Sequence, residues 1–196
     1  IVCALDLDGN ITATKVVDVS GALDLGANIT TSDTITIDGA TTLSGGDRVL
    51  TTSADAVTLT GTIQGAHGLT INTADNTVVV TLTGGAIGGA EVDVIAITGA
   101  LVAGAAITAE GLTVTGTSSL TGNVTSTGDT GQVYGALTTN AHASKRILTA
   151  NAGDVNLTGY SGNSQDLDIV GVLDLDGAVT ATKVFDVSGA ADLGAS

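Results

Sequence analysis

The chain alternates apolar and polar residues in short bursts, each closed by glycine. Leu5-Asp6-Leu7-Asp8-Gly9, Val17-Asp18-Val19-Ser20-Gly21, Ile35-Thr36-Ile37-Asp38-Gly39, Val57-Thr58-Leu59-Thr60-Gly61, Leu112-Thr113-Val114-Thr115-Gly116, Val155-Asn156-Leu157-Thr158-Gly159 and Leu173-Asp174-Leu175-Asp176-Gly177 all follow this pattern. A two-residue period sets Val, Ile or Leu on one side of a strand and Thr or Asp on the other, and the glycine supplies the corner. The nearest approach to a helical period, residues 89–106, is too rich in Gly and Val to hold a helix. The pattern predicts an all-β fold of short strands with little or no helix.

A second regularity acts at longer range. Residues 1–27 return as residues 169–195 at a constant offset of 168, with 21 of the 27 positions identical and mild changes such as Ile11 to Val179, Val17 to Phe185 and Leu23 to Ala191. This is the mark of a tandem array. Residues 1–168 read as one complete period of a continuous solenoid and residues 169–196 as the start of the next. A chain that opens at Ile1 and contains no Met is expected to be a slice of something longer. Gly39, Gly61 and Gly84 recur at a nearly even spacing that suits one coil of a β-solenoid, and other corners, such as Gly111, Gly116 and Gly122, come faster. With ~20 residues per coil stacked at ~4.8 Å, one period makes about eight coils and about 40 Å of rod.

The expected architecture is a right-handed parallel β-solenoid. Tandem immunoglobulin-like β-sandwiches and an intertwined trimeric β-fibre are the alternatives. A sandwich needs longer strands and usually a buried aromatic, and this chain offers only Tyr134, Tyr160 and Phe185. The solenoid accounts for the composition. Stacked aliphatic ladders leave an interior too narrow for aromatic rings, matching an aromatic content of 2% and no Trp. Strands paired above and below need every N–H, matching the absence of Pro. Outward Thr36, Thr58, Thr60, Thr70, Thr113 and Thr115 are placed to stack as hydroxyl ladders. Open strand edges at the ends predict end-to-end association unless a cap or the next repeat covers them.

Twenty acidic residues against five basic give a net charge of −15. Lys15, Arg48, Lys145, Arg146 and Lys183 are scattered, which argues against a nucleic-acid partner. No stretch is long and apolar enough to span a bilayer. Cys3 is the only cysteine, and its counterpart one period on is Gly171, so the repeat does not depend on a thiol.

Candidate chemistry is sparse. Asp6 with Asp8, Asp166 with Asp168, and Asp174 with Asp176 are strand pairs two residues apart, so each pair projects from one face with Cα atoms ~7 Å apart. Structural Ca2+ would relieve their repulsion. The GGxGxD and EF-hand signatures are both missing, so the plainer expectation is a solvated acidic face with no required cofactor. His67 and His142 lack a carboxylate or Cys at ligand spacing, and the turn serines Ser118, Ser119 and Ser161 to Ser164 lie outside any GxSxG. No catalytic residue is assigned. Asn10, Asn28, Asn123 and Asn156 open N-x-[ST] acceptor sequences, with Asn28 and Asn123 at reachable corners and Asn156 within a strand pattern. The doublet Lys145-Arg146 falls in residues 131–151, where the strand pattern fades and a longer loop is expected. There it would be solvent-exposed or touch an acidic neighbouring rod.

The segments GLTVTGTSSLTGNVTSTGDT (111–130), GQVYGALT (131–138) and NAGDVNLTGY (151–160) resemble the large repetitive bacterial surface proteins of the filamentous haemagglutinin type. The LTVTGTSSLTGNVT phrase is also similar to phage tail-fibre repeats. The resemblance implies a secreted or surface-displayed β-solenoid acting as adhesin, stalk or filament. The functional expectation is a non-catalytic structural repeat of an extracellular filament or cell-surface fibre, which self-associates or continues into a longer repeat chain. A module binding a host glycan or surface through side loops, as in an adhesin or tail fibre, is the alternative. A polysaccharide-active β-helix enzyme stands behind both.

Overall fold

The computed structural model describes residues 1–85, 87–88, 92–140, 144–162, 165–181 and 183–194. Every ladder among them is parallel, and no helix occurs among the described residues. The chain winds as a β-solenoid of about nine turns. Parallel ladders exclude a sandwich of antiparallel sheets, and each strand pairs with a neighbouring coil of the same chain.

The first rungs begin at Leu5, Ile11, Val17, Leu23, Ile29, Ile35 and Thr41, so six residues make a rung and three rungs make a turn. Face one stacks Leu5–Leu7, Leu23–Leu25, Thr41–Leu43 and Ile63–Gln64. Face two stacks Ile11–Ala13, Ile29–Thr31, Arg48–Thr52 and Leu69–Asn72. Face three stacks Val17–Val19, Ile35–Ile37, Val57–Leu59 and Val79–Leu82. Along face one the column runs Leu5, Leu23, Thr41, Ile63, Ile87, Ile107, Val124, Leu148, Ile169 and Val187. The shortest turn of this column runs from Ile107 to Val124, and the longest run from Ile63 to Ile87 and from Val124 to Leu148. The spacing of Gly39, Gly61 and Gly84 matches the turns they close, from Ile35 to Val57 and from Val57 to Val80. The six-residue rung beneath it is hidden in the sequence, because the glycines do not close every rung.

Alternation explains the core. In Val17–Val19 the two valines are buried and Asp18 is exposed, and the same buried-outward-buried pattern recurs in Leu23–Leu25, Ile35–Ile37 and Val57–Leu59. Val19, Leu25, Ile29, Ile35, Ile37 and Leu50 are fully buried. Each buried aliphatic side chain is worth about 1.5–3 kcal/mol. Where coils touch backbone to backbone at a corner, only glycine fits: a Cβ on Gly39 would collide with the carbonyl group of Gly21. Thr36 and Thr58 stack in register as expected and Thr81 extends their row, whereas Thr70 lies between Val49 and Ala96 and Thr113 between Ala96 and Val133.

Two expectations are corrected. Residues 131–139 and 146–151, expected in a long loop, are strand: Val124–Thr139 and Arg146–Gly162 are the two longest strands among the described residues, each carrying a rung to all three faces. Their alternation is broken by register shifts between Ser126 and Gln132 and between Thr149 and Asp154, which hide the strands from a period-two reading. Nor does the interior exclude aromatics: Tyr134, in the turn from Val124 to Leu148, and Tyr160, in the turn after it, are both buried.

Candidate functional surfaces

The outward positions of face one carry Asp6, Asp24, Thr42 and Gln64 in register. With Ala4, Ala22 and Ala40 they line a shallow groove of about 500 Å3 along the rod. Asp24 accepts a hydrogen bond from the hydroxyl of Ser44. A smaller groove of about 310 Å3 collects Asp47, Asp93 and Glu110 beside Gly68 and Thr70.

Asp6 and Asp8 flank buried Leu7 on the outside, as the i, i+2 reading requires. Further carboxylate neighbours come from the next coil. Asp6 pairs with Asp24, Asp168 with Asp186, and Asp174 with Asp192. Parallel in-register stacking creates these contacts, and one strand alone does not reveal them. Partial burial, reinforced by the charges of Asp176, Asp192 and Asp154, raises the Asp174 carboxyl above its ordinary value. No group of three or more ligating side chains among the described residues is placed to hold a cation.

The basic doublet divides. Lys145 forms an ion pair with Asp168, and this contact, with Asp186 and Asp166 nearby, holds its ammonium above the usual range. Arg146 contradicts the expectation of a surface residue: it is 4% exposed, an inward position of its strand. Its guanidinium donates to the Ser144 carbonyl at 3.4 Å, and burial lowers its pKa. Two residues adjacent in an extended strand point to opposite sides, so a KR doublet in a strand cannot act as one basic patch.

The acceptor asparagines serve the coil stack. The side-chain oxygen of Asn10 accepts the N–H of Asn28 at 3.0 Å, that of Asn28 accepts Val49 at 2.9 Å, and that of Asn123 accepts Ile147 at 3.0 Å. Asp47 and Asp166 do the same for Gly68 and Val184. Five corner side chains thus tie one coil to the next. Their shared place just before a rung is the signal in the sequence that could have found them. Asn156 sits within its strand beside Asp174, partly buried.

A polar cluster joins the turn from Val124 to Leu148 to the turn after it. Tyr134 donates to the side-chain carbonyl of Gln132 at 2.9 Å, and the Gln132 amide donates to Thr149 O at 2.8 Å. Burial alone raises the Tyr134 phenol far above its ordinary value. The hydroxyls of Tyr160 and Thr139 lie 2.8 Å apart, and the Tyr160 ring packs on Phe185 at 5.3 Å. Gln132, Tyr134, Thr139 and Tyr160 are buried in the core, with Phe185 half-buried against them, and the cluster acts on stability.

His67 lies partly buried in the turn between Ile63–Gln64 and Leu69–Asn72, and its carbonyl accepts the N–H of Asp93 at 3.3 Å. His142 and Ser164 lie outside the described residues. Ser118 points inward and Ser119 outward on Ser118–Leu120, and Ser161 is exposed within Arg146–Gly162. The structure therefore brings neither histidine nor serine toward a common centre among the described residues. Cys3 is an exposed free thiol. No known protein family, curated protein or solved structure matches the chain.

Proposed function

We propose that the chain is a non-catalytic structural repeat segment of an extracellular filament or cell-surface fibre. The observation that supports this reading is the joining of an unbroken parallel coil stack to a sequence that restarts in the same winding. The strand Leu167–Leu175 runs straight through the period boundary, so one unit passes into the next without a hinge. A stack of this kind grows by nearest-neighbour contacts and has no intrinsic length limit. An acidic coat of net charge −15 keeps such rods apart in solution. The partners on this reading are further copies of the repeat, with no required cofactor.

A tandem array of units, imaged by electron microscopy after heating and protease treatment, tests it. Unbranched rods lengthening by about 40 Å per unit are the expected result. Compact beads on flexible strings would refute the filament.

The groove along face one supports a second reading, a surface that binds a host glycan. Its polar side chains repeat at the coil spacing of ~4.8 Å, close to the scale of a sugar unit. Glycan-array binding that disappears in Asp24→Ala would favour this reading over a purely structural rod.

A further inference from the structure

The repeated segment does not return to the same face. Leu5–Leu7, Ile11–Ala13 and Val17–Val19 lie on faces one, two and three. Their counterparts Leu173–Leu175, Val179–Ala181 and Phe185–Val187 lie on faces two, three and one. From Leu5 the face-one column reaches Ile169 after eight turns, and Leu173 sits one rung further on. The repeat period is eight turns plus one face.

The last coil, Val179–Ala181, Phe185–Val187 and Ala191–Leu193, pairs with the coil below and with no described strand above. The same sequence in the first copy is covered. Ile29–Thr31 lies on Ile11–Ala13, Ile35–Ile37 on Val17–Val19, and Thr41–Leu43 on Leu23–Leu25. The difference in burial is large: Leu25, under Leu43, is 0% exposed, and its counterpart Leu193 is 67% exposed.

Resting on the filament reading, we propose that this edge is a docking surface for a coil with the sequence of residues 29–43, supplied by the next repeat unit. Each unit is thereby turned one face, a third of a revolution, relative to the unit before it.

Charge selects this occupant over the opening coil of a second copy. The 29–43 sequence sets Thr30, Thr36 and Thr42 above the positions of Thr180, Asp186 and Asp192. The acidic runs Asp168–Asp186 and Asp174–Asp192 then end on hydroxyls, as Asp6–Asp24 ends on Thr42 within the chain. Continuing the winding with residues 5–19 of another copy sets Asp18 above Asp192 and lengthens a carboxylate stack. Like charges directly opposite one another are unfavourable.

The rotation has consequences for the rod. Any side-chain feature of the unit recurs on the same face only every third unit, about 120 Å along the axis. A partner with several identical sites meets the repeat as a spiral of contacts rather than a single stripe.

The test extends the full 196-residue chain. Gly194-Ala195-Ser196 aligns with Gly26-Ala27-Asn28, so the residue 29–45 sequence is added directly after Ser196. A second chain carries the residue 5–21 sequence there instead. Amide hydrogen exchange in residues 179–193 is expected to slow roughly tenfold with the first extension and much less with the second. Equal protection by both, or protection by neither, overturns the docking assignment. Helical reconstruction of a four-unit array reads the rotation directly. Rods turned by a third of a revolution per unit support the proposal, rods with every unit on one face overturn it while leaving the filament intact, and failure to form rods overturns the filament reading and the proposal with it.

Discussion

Residues 1–27 and 169–194 are nearly one sequence in two places, and the structure treats them differently. In the first copy Leu23 and Leu25 are buried under Thr41 and Leu43, whereas in the second Ala191 and Leu193 are exposed. Cys3 lies in an open position, while Gly171, its counterpart, adopts φ 134° over Ala150. Val17 packs among aliphatic side chains, and its counterpart Phe185 meets the Tyr160 ring. The two copies form the same strands because alternation is a local property. They differ in energy because burial in a solenoid is conferred by the coil above and the coil below.

Leucine truncation should break the comparison most visibly. Leu25→Ala is expected to destabilise its coil by about 3 kcal/mol, as core Leu→Ala changes do. Leu193→Ala, the same substitution at the same point of the repeat, is expected to fall within about 0.5 kcal/mol. Denaturant melts of the two variants decide the matter, and equal losses would mean that neighbouring coils do not control burial.

Exchanging the non-identical corner sharpens it next. Gly171→Cys makes the second copy match the first, but places a Cβ 2.8 Å from the Ala150 carbonyl oxygen at a backbone angle that L-residues avoid. A loss of about 2 kcal/mol is expected. The reverse change, Cys3→Gly, should cost about 0.5 kcal/mol or less. Differential scanning calorimetry on both variants tests the asymmetry.

Removing the phenol tests the buried cluster that lies between the two copies. Tyr134→Phe leaves the Gln132 carbonyl without its donor and should cost about 1–2 kcal/mol. An unchanged melting temperature would show that the buried cluster is not a hydrogen-bonded unit.

The smallest effect concerns charge. Because the Asp174 carboxyl is raised in the folded state, its protonated form favours folding. That contribution is complete below the ordinary carboxyl value of 3.8 and is lost as pH rises through the raised one. Asp192→Asn removes one of the charges responsible and should bring Asp174 back toward the ordinary range in a carbon-13 NMR titration. Added salt should act in the same direction, since exposed charges are screened. A carboxyl that titrates identically in both proteins would separate the stacked aspartates electrostatically.

Several site features are legible in the sequence and others are not, for one reason. Asp6 and Asp8 can be read as sharing a side because that follows from strand geometry alone. The pairing of Asp6 with Asp24 depends on the length of the turn between them, which emerges only once the register is known. Lys145 and Arg146 resemble a basic patch until the strand that opens at Arg146 turns that side chain into the core and leaves Lys145, just before it, outside on Asp168. The corner asparagines resemble modification signals, although their side-chain oxygens bond the backbone one coil away.

Alternating Val, Ile, Leu with Asp and Thr determined by itself that this chain makes short strands with one apolar side, and the long-range echo determined that the pattern restarts. Both are written in residues close together or in identical order. Only the tertiary structure decided that six residues make a rung, that the turn beginning at Ile107 is tight while those beginning at Ile63 and Val124 are wide, and that the echo lands one face further round. Those outcomes depend on how many residues each corner absorbs. That number is set by packing against the adjacent coil and not by the strand that precedes it.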